Sequence, residues 1–294
     1  MSGARHRITR AALEGTRPSG ALKRWAYWAL NPEPLRVRVA RRLIRHFGLG
    51  SYGERLASDL VARPHYGFCV YEGAVLAARL GLDRISVLEF GVAGGNGLLS
   101  LEEHGQAVKR ETGVGCDVYG FDTGQGLPPP TDWRDLPYLW KEGFYDCDVP
   151  RLRKRLGAAQ LVLGDAAETV KDFVERGPAA IGAVMIDLDL YSSTASVLKV
   201  FERQEIKCLP RVFCYFDDVT GGPLQAYNEY TGELRALREF NDRSPQRKFA
   251  RLDLNGRRRV PAEWNDRIYV LHNFDHPDYA AYVGPDDDQR PLLG

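Results

Sequence analysis

The segment from Val87 to Gly97, reading VLEFGVAGGNG, constrains the fold of this chain more than any other. An apolar run ends there in an acid, and a loop with almost no side chains follows. Glycine permits positive φ angles and removes the Cβ atom where a backbone approaches another group closely. A helical pattern from Leu98 would turn its N-terminal amide groups toward the same space. The sequence therefore predicts a strand, a ligand-binding turn and a helix, with the turn glycines at 91, 94, 95 and 97.

The spacing of these glycines argues against a nicotinamide or flavin cofactor. The dinucleotide fingerprint has glycine at its first, third and sixth positions. When the count starts at Gly91, the third position is Ala93 and the sixth is Asn96; when it starts at Gly94, the third position is Asn96. We therefore expect a cofactor of another kind.

A second motif follows a second apolar run. Val118 to Phe121 ends in Asp122, and the next residues, from Thr123 to Pro128, are turn formers. An acid at the C-terminal end of the second strand of a parallel sheet is placed to accept both hydroxyls of a ribose. The two motifs together favour a cofactor that carries a ribose.

Apolar and amphipathic segments alternate along the chain, which predicts an α/β fold. Nearly continuous apolar runs at 183–186 and 211–216 are typical of strands covered on both faces. The last two candidate strands have only a short connection, which predicts an antiparallel hairpin on an otherwise parallel sheet. The predicted strands are Ser86–Phe90, Val118–Phe121, Gln160–Leu163, Ala183–Ile186, Arg211–Phe216, Lys248–Leu254 and Arg267–Leu271.

These motifs resemble those of the class I S-adenosylmethionine (SAM) methyltransferases, and among them the macrocin O-methyltransferase family of antibiotic-sugar methylases. The resemblance runs in one collinear order from about 85 to 220. It implies a Rossmann-like fold with a seven-stranded, mostly parallel sheet, an antiparallel edge hairpin and extra N-terminal helices. The matching segments are EFGVAGGNG at 89–97, YGFDTGQGLP at 119–128, LGDAAET at 163–169, MIDLDLYSST at 185–194 and FDD at 216–218.

The resemblance also implies which residues contact SAM. The glycine loop would line the methionine and ribose end, Asp122 would hold the ribose hydroxyls, and Asp165 with Ala166 would lie beside the adenine. Asp165 is equally well explained as a helix cap, since Glu168 stands at the position of a capping box. The expected cofactor residues are Glu89, Gly91, Ala93, Gly95, Asn96, Asp122, Asp165 and Ala166.

Acids stand at or just after the end of each of the first five predicted strands, and the densest group follows the fourth and fifth. Carboxylates gathered at one edge of a sheet repel each other, so cations or hydrogen-bond donors are expected there. Three or four oxygen ligands in a small volume suit Mg²⁺. The resemblance implies such a metal, with Asp187, Asp217 and Asp218 as ligands and Asp187 and Asp189 as catalytic carboxylates.

Two departures from the family leave a second interpretation of these acids open. Leu188 stands where the family has a small residue, and the interval from Asp187 to Asp217 is longer, with 202–210 as the expected insertion. The alternative is a SAM fold whose acids bind only cofactor or polar substrate.

The chain is expected to contain four regions. Residues 1–20 would be a mobile basic arm, 21–84 a helical lid or cap, 85–280 the SAM-binding domain and 281–294 a polar tail. Within the cap, Leu35 to Phe47 has apolar residues at helical spacing with arginines between them. Such a helix could be a solvated face, a lid, a homo-oligomer contact or a membrane-surface helix. An aromatic loop from Trp133 to Asp148 is the best candidate for a substrate lid, and Tyr66 and Tyr71 are either core residues or a cover for SAM.

Composition limits the class of partner and compartment. The net charge of +1 gives no general reason to expect nucleic acid. The five cysteines are scattered without a CxxC pair, and the sequence contains no apolar stretch long enough to span a membrane, so a reducing cytoplasm is expected. The sequence thus predicts a SAM-dependent O-methyltransferase acting on a small polar acceptor, a sugar or glycosylated natural product, with Mg²⁺. Alternatives are a metal-independent N- or C-methyltransferase and a non-catalytic binding or scaffold protein.

Overall fold

A computed structural model of the chain describes residues 35–255, 258 and 262–284. Contacts divide the described residues into two compact units, one that contains 35–50 with 221–226 and one that contains 51–220 with the described residues from 227 to 284. The predicted arm at 1–20 and most of the predicted tail at 281–294 lie outside the described residues. No helix in the described ranges is long and apolar enough to cross a membrane.

In the first unit, helix α1 (Leu35–Phe47) forms where the apolar spacing predicts a helix. It buries none of its residues, and its apolar row is exposed to solvent. That row is Leu35, Val39, Leu43 and Phe47.

The second unit contains the sheet and the remaining helices. In chain order its elements are α2 (Tyr52–Ala57), α3 (Pro64–Arg79), β1 (Arg84–Phe90), α4 (Asn96–Thr112), β2 (Gly115–Asp122), α5 (Val149–Arg153), β3 (Gln160–Leu163), α6 (Ala166–Glu175), β4 (Ile181–Ile186), α7 (Tyr191–Leu198), β5 (Cys208–Phe216), α8 (Gly232–Arg243), β6 (Arg247–Arg251) and β7 (Ile268–Asn273). Short 3₁₀ turns occur at Trp133–Asp135, Lys199–Glu202 and Glu263–Arg267.

The strands form one sheet of seven in the order β3-β2-β1-β4-β5-β7-β6. β1 to β5 are parallel to their neighbours, while β7 is antiparallel to both β5 and β6. The structure therefore confirms the Rossmann-like fold, the antiparallel edge hairpin and the extra helices before β1. β2 and β3 extend the sheet on one side of β1, and β4 begins the other side. Ligands of such sheets bind at this reversal of strand order, at the carboxyl ends of the strands.

Alternating side chains of β1 show how the two faces of the sheet are covered. Ile85 and Val87 pack with residues of α2, α3 and α4, while Leu88 and Phe90 pack with residues of α6, α7 and α8. Successive side chains of a strand point to opposite faces, so both faces bury apolar residues. The carboxyl edge of the sheet is where the polar residues gather.

The predicted cap at 21–84 and domain at 85–280 stay a prediction, and residues 21–34 of that cap lie outside the described residues. Residues 51–84 belong to the same compact unit as the sheet. The reason is burial, because Tyr66, Val70 and Ala74 are fully buried in the core that also contains Ile85. These residues form part of the scaffold of the sheet.

Candidate active site

The glycine loop after β1 passes very close to the end of β4. Gly91 has φ +88°, and a Cβ atom built on it would lie 1.9 Å from the carbonyl oxygen of Asp187. Gly97 is similarly constrained, because its Cβ would lie 1.8 Å from Oε1 of Glu89. Glycine is therefore needed at Gly91, where the obstacle is backbone, while at Gly97 a side chain would displace the carboxyl group of Glu89. The loop lies where the strand order reverses.

Asp122 braces this loop from the end of β2. Its Oδ2 accepts the backbone N–H groups of Val92 and Ala93 at 2.8 and 2.9 Å, and its Oδ1 accepts that of Gly124 at 2.6 Å. The carboxylate thus holds the two loops that follow β1 and β2. Each carboxylate oxygen can accept more than one hydrogen bond, so the predicted ribose contact is compatible with this role and stays a prediction.

Glu89, the acid near the end of β1, is buried next to the loop, with 1% of its surface exposed. The hydroxyl of Tyr66 donates to its Oε1 at 2.9 Å. Its Oε2 is also buried and has no hydrogen-bond partner among the described residues. Burial raises the pKa of Glu89 to about 8. A buried carboxyl oxygen without a donor marks a place where a ligand can supply one.

The other predicted cofactor residues lie around the same loop and at the end of β3. Gly95 has φ +79° at the start of α4, and Asn96, the first residue of that helix, is exposed. Asp165 is exposed just before α6, and its carbonyl oxygen accepts the N–H groups of Glu168 and Thr169. Ala166 begins α6 and is half-buried.

Three of the predicted acids come together beside the loop. Asp187, Asp189 and Asp218 each offer a carboxylate oxygen, and these oxygens lie within 4.8 Å of one another. We call these residues the acid triad. Asp189 has φ +58°, a conformation that is uncommon outside glycine and that turns the chain sharply after β4. The Oδ2 atom of Asp218 is buried without a hydrogen-bond partner among the described residues.

Burial of the acid triad makes its negative charge costly. Burial, and then the repulsion of neighbouring carboxylates, raises the pKa of Asp187 well above its usual range and that of Asp189 to about 10. The same causes raise the pKa of Asp218 to about 6. Carboxyls in this state exchange protons for a divalent cation, and hard oxygen ligands are the type that Mg²⁺ prefers. The donor set therefore fits such an ion.

Asp217, a predicted metal ligand, is not part of the acid triad. Arg267 donates to its Oδ1 at 2.6 Å, and the hydroxyl of Tyr215 donates to the same oxygen. Asp217 and Asp218 follow β5 in a bend and a turn, and their side chains have different partners, Arg267 for Asp217 and Tyr227 for Asp218. Asp218 consequently faces Asp187 and Asp189, and Asp217 lies in an ion pair.

Glu233 supports the acid triad from α8, and the sequence pattern did not reveal this role. It is fully buried, and its two carboxyl oxygens accept the backbone N–H groups of Asp218 at 3.0 Å and Leu188 at 3.4 Å. The two strand ends that carry the triad are thus fixed by one side chain. The signal available in the sequence was an acid in the first turn of the helix that follows the FDD motif.

The aromatic loop between β2 and α5 is partly anchored and partly exposed. Trp140 packs with Leu136 and Leu190, whereas Trp133 and Tyr138 are 62% and 65% exposed. Tyr227, packed against the same cluster, donates its hydroxyl hydrogen to Asp218. The anchored part of the loop is therefore adjacent to the acid triad, and the predicted lid role stays a prediction.

Comparison with known proteins gives only distant similarities. No protein-family model matches the sequence, and no curated protein matches it significantly. The calicheamicin methyltransferase CalS11 is 20% identical over 82% of this chain and 94% of that chain, with a TM-score of 0.47. The O-methyltransferase NovP is 14% identical over 71% of this chain and 78% of that chain, with a TM-score of 0.47. An O-methyltransferase from Bacillus cereus, solved with S-adenosylhomocysteine (SAH), is 13% identical over 85% and 95%, with a TM-score of 0.35.

These values are too low to transfer a substrate or a site. The fold assignment rests on the strand order and on the antiparallel position of β7. In those features, and in the glycine loop at the reversal of strand order, the chain resembles the class I methyltransferases.

Proposed function

We propose that this chain is a SAM-dependent O-methyltransferase that acts on a hydroxyl of a small polar acceptor, with Mg²⁺ held by the acid triad. The observation that best supports this proposal is the close approach of the glycine loop to Asp187. The position of a Cβ on Gly91 is 1.9 Å from the carbonyl oxygen of Asp187, so the glycine loop lies against the chain that carries Asp187 and Asp189, which supports one shared site for cofactor and acceptor. Methyl transfer requires the methyl donor and the acceptor hydroxyl to be bound next to each other.

The residues around the loop would hold the methyl donor. SAM, when bound, supplies a methyl group activated by its sulfonium charge. The glycine loop would accommodate its methionine and ribose, Asp122 would accept its ribose hydroxyls, and the unpaired oxygen of Glu89 would accept a donor from its amino-acid part. Holding donor and acceptor in reacting geometry supplies much of the rate enhancement of such transfers.

The acid triad would prepare the acceptor. Mg²⁺, when bound, would lower the pKa of an acceptor hydroxyl next to it. A carboxylate of Asp187 or Asp189 would take the proton of that hydroxyl. The acceptor oxygen would then bond to the methyl carbon as the carbon–sulfur bond of SAM breaks, with SAH as the leaving product.

The aromatic loop supports a sugar or a glycosylated natural product as the acceptor. Trp133 and Tyr138 expose large ring surfaces, and Tyr227 connects the anchored part of the loop to Asp218. Apolar ring faces with a few convergent polar groups are typical of small-molecule pockets. We propose that this loop covers the acceptor during transfer.

Calorimetry with SAM and SAH on the full chain tests the proposal directly. Both ligands should bind, and a panel of sugar and glycoside acceptors with isotopically labelled SAM should yield a methyl ether. Folded protein that binds neither ligand would refute a methyltransferase function and leave the scaffold interpretation.

The metal is tested separately with EDTA and with restored Mg²⁺. Turnover should disappear in EDTA and return with Mg²⁺. Unchanged turnover in EDTA would remove the metal from the mechanism and favour the metal-independent N- or C-methyltransferase.

A further inference from the structure

Helix α1 presents an apolar row to solvent that the proposed function does not use. The members of this row are spaced four residues apart, so they lie along one side of the helix. A single exposed apolar side chain is ordinary on a protein surface, whereas a contiguous exposed row marks a surface that binds another apolar surface. The row consists of Leu35, Val39, Leu43 and Phe47, which are between 47% and 65% exposed.

The charge of α1 is entirely positive. The helix has no aspartate or glutamate and five arginines, which are Arg36, Arg38, Arg41, Arg42 and Arg45. Each residue turns an α-helix by about 100°. Arg36, which follows Leu35, and Arg42, which precedes Leu43, therefore lie on opposite sides of the apolar row, and both are exposed. Arginine can keep its guanidinium at a polar boundary while its methylene groups lie along apolar neighbours.

The length of α1 limits how it can meet a membrane. Its 13 residues span about 20 Å at the rise of an α-helix. The hydrocarbon core of a bilayer is about 30 Å thick, so this helix is too short to cross it. A basic amphipathic helix instead lies in the plane of the interface, with its apolar side among the acyl chains.

A second copy of this chain is the other partner that an apolar row could bind. A two-fold interface uses the same patch on both subunits, so it would bring two sets of five arginines together without an acid from either helix. Like charges repel each other. The chain before α1 adds to the positive charge, because residues 1–34 contain six Arg and Lys against two Glu. An anionic lipid surface supplies the opposite charge and an apolar interior together.

We propose that α1 binds the surface of an anionic phospholipid bilayer through its apolar row, with Arg36 and Arg42 at the level of the lipid phosphates. The row is then buried among the acyl chains, and the guanidinium groups donate to phosphate oxygens. This inference does not depend on the proposed methyltransferase function, because it concerns residues other than the glycine loop and the acid triad. It assigns the protein to a membrane surface without a membrane-spanning helix.

Cosedimentation of the full chain with lipid vesicles tests this inference. One set of vesicles contains phosphatidylcholine alone, and the other contains equal parts of phosphatidylcholine and phosphatidylglycerol. The variants are Leu43→Ser and Arg42→Gln, and neither should unfold the protein, since α1 buries none of its residues. The matched controls are Leu82→Ser, at 41% exposure against 47% for Leu43, and Arg110→Gln, which changes an exposed arginine of α4.

Binding should depend on both the charge of the lipid and the side chains of α1. The parent chain should bind the anionic vesicles and bind the neutral ones much more weakly. Arg42→Gln should weaken binding to the anionic vesicles about fivefold through the lost charge. Leu43→Ser should weaken it about tenfold through the lost apolar burial. Both controls should bind as the parent chain does, and added salt should weaken binding because it screens the charges.

Three results would overturn the inference. The first is a parent chain that does not cosediment with anionic vesicles. The second is vesicle binding by the two α1 variants that equals that of the parent, since the lipid contact would then lie elsewhere in the chain. The third is light scattering that shows a dimer of the parent and a monomer of Leu43→Ser without vesicle binding, which would assign the apolar row to a second copy. A failure to bind SAH would overturn the proposed function and leave this inference standing.

Discussion

Replacing Gly91 with alanine should destabilise the protein strongly, because the new atom would meet backbone rather than a movable side chain. Its Cβ would lie 1.9 Å from the carbonyl oxygen of Asp187 and 2.8 Å from the carbonyl carbon. The φ of +88° adds a cost of about 1–2 kcal/mol for an L-residue. Moving the two strand ends apart inside a packed structure adds about 1–3 kcal/mol. The free energy of unfolding should therefore fall by about 2–5 kcal/mol.

Gly94→Ala is the matched control in the same loop. Nothing lies within 4 Å of its Cβ position, and its φ is not positive. Its free energy of unfolding should stay the same or rise by up to about 1 kcal/mol, because alanine restricts the unfolded chain. Urea denaturation of the full chain measures both variants. Equal stability of Gly91→Ala and Gly94→Ala would show that the loop does not approach β4 as described.

The remaining predictions concern the acid triad and one buried histidine. Asp218→Asn should weaken Mg²⁺ binding by at least about tenfold in calorimetry. Asp217→Asn should weaken it less, because that carboxylate pairs with Arg267. Equal losses in the two variants would contradict the assignment of Asp218, and not Asp217, to the metal site. Glu233→Leu should lower the free energy of unfolding by about 2–4 kcal/mol, because two buried N–H groups lose their acceptor. Urea denaturation that shows unchanged stability would refute this bracing role of Glu233. Burial lowers the pKa of His104 to about 4, so the unfolded chain binds a proton below about pH 6.5 that the folded chain does not. As pH falls from 6.5 to 4, this should remove about 3 kcal/mol of stability, and His104→Asn should lack that part of the pH dependence.

The positions of the strands along the chain and the glycine loop could be predicted because their signals are local. A buried parallel strand shows as a continuous apolar run, and a turn near another backbone needs glycine. Both signals are readable without knowing what lies nearby in space. The predicted β3 has the bounds found in the structure, and the other predicted strands overlap the observed ones.

The start of β5 was missed because its irregularity depends on a neighbouring strand. The strand begins at Cys208 rather than Arg211, and its register against β4 shifts between the pairs Ile181–Cys208 and Ala183–Phe213. Pro210 lies in this interval, and proline is tolerated in a sheet interior mainly at a bulge because it lacks an N–H group. The structure therefore has the start of an irregular strand in part of the segment, 202–210, that was expected to be an insertion.

The roles of individual acids were the least predictable part of the site. The FDD motif placed Asp217 and Asp218 at the correct edge, but which of them faces the cleft depends on the direction of the chain after Phe216. Asp122 likewise stands where the pattern predicts, yet its oxygens hold the backbone of the glycine loop. Glu233 becomes part of the site only through the packing of α8. These assignments depend on tertiary contacts, which have no local signature.

Strained backbone and buried like charge occur together at one edge of the sheet. Ala93 and Asp189 both have positive φ, +44° and +58°, in the loops that follow β1 and β4. Beside them Asp189 and Asp218 are buried and Asp187 is half-buried, and each carboxylate raises the cost of charging the others. Strain and buried like charge of this kind persist only where the surrounding structure enforces them. Here the enforcement is visible in Asp122, which holds the loop of Ala93, and in Glu233, which holds both strand ends of the triad. The fold thus keeps strained backbone and buried like charge together at the reversal of its strand order, where a bound divalent cation would offset the repulsion between the carboxylates.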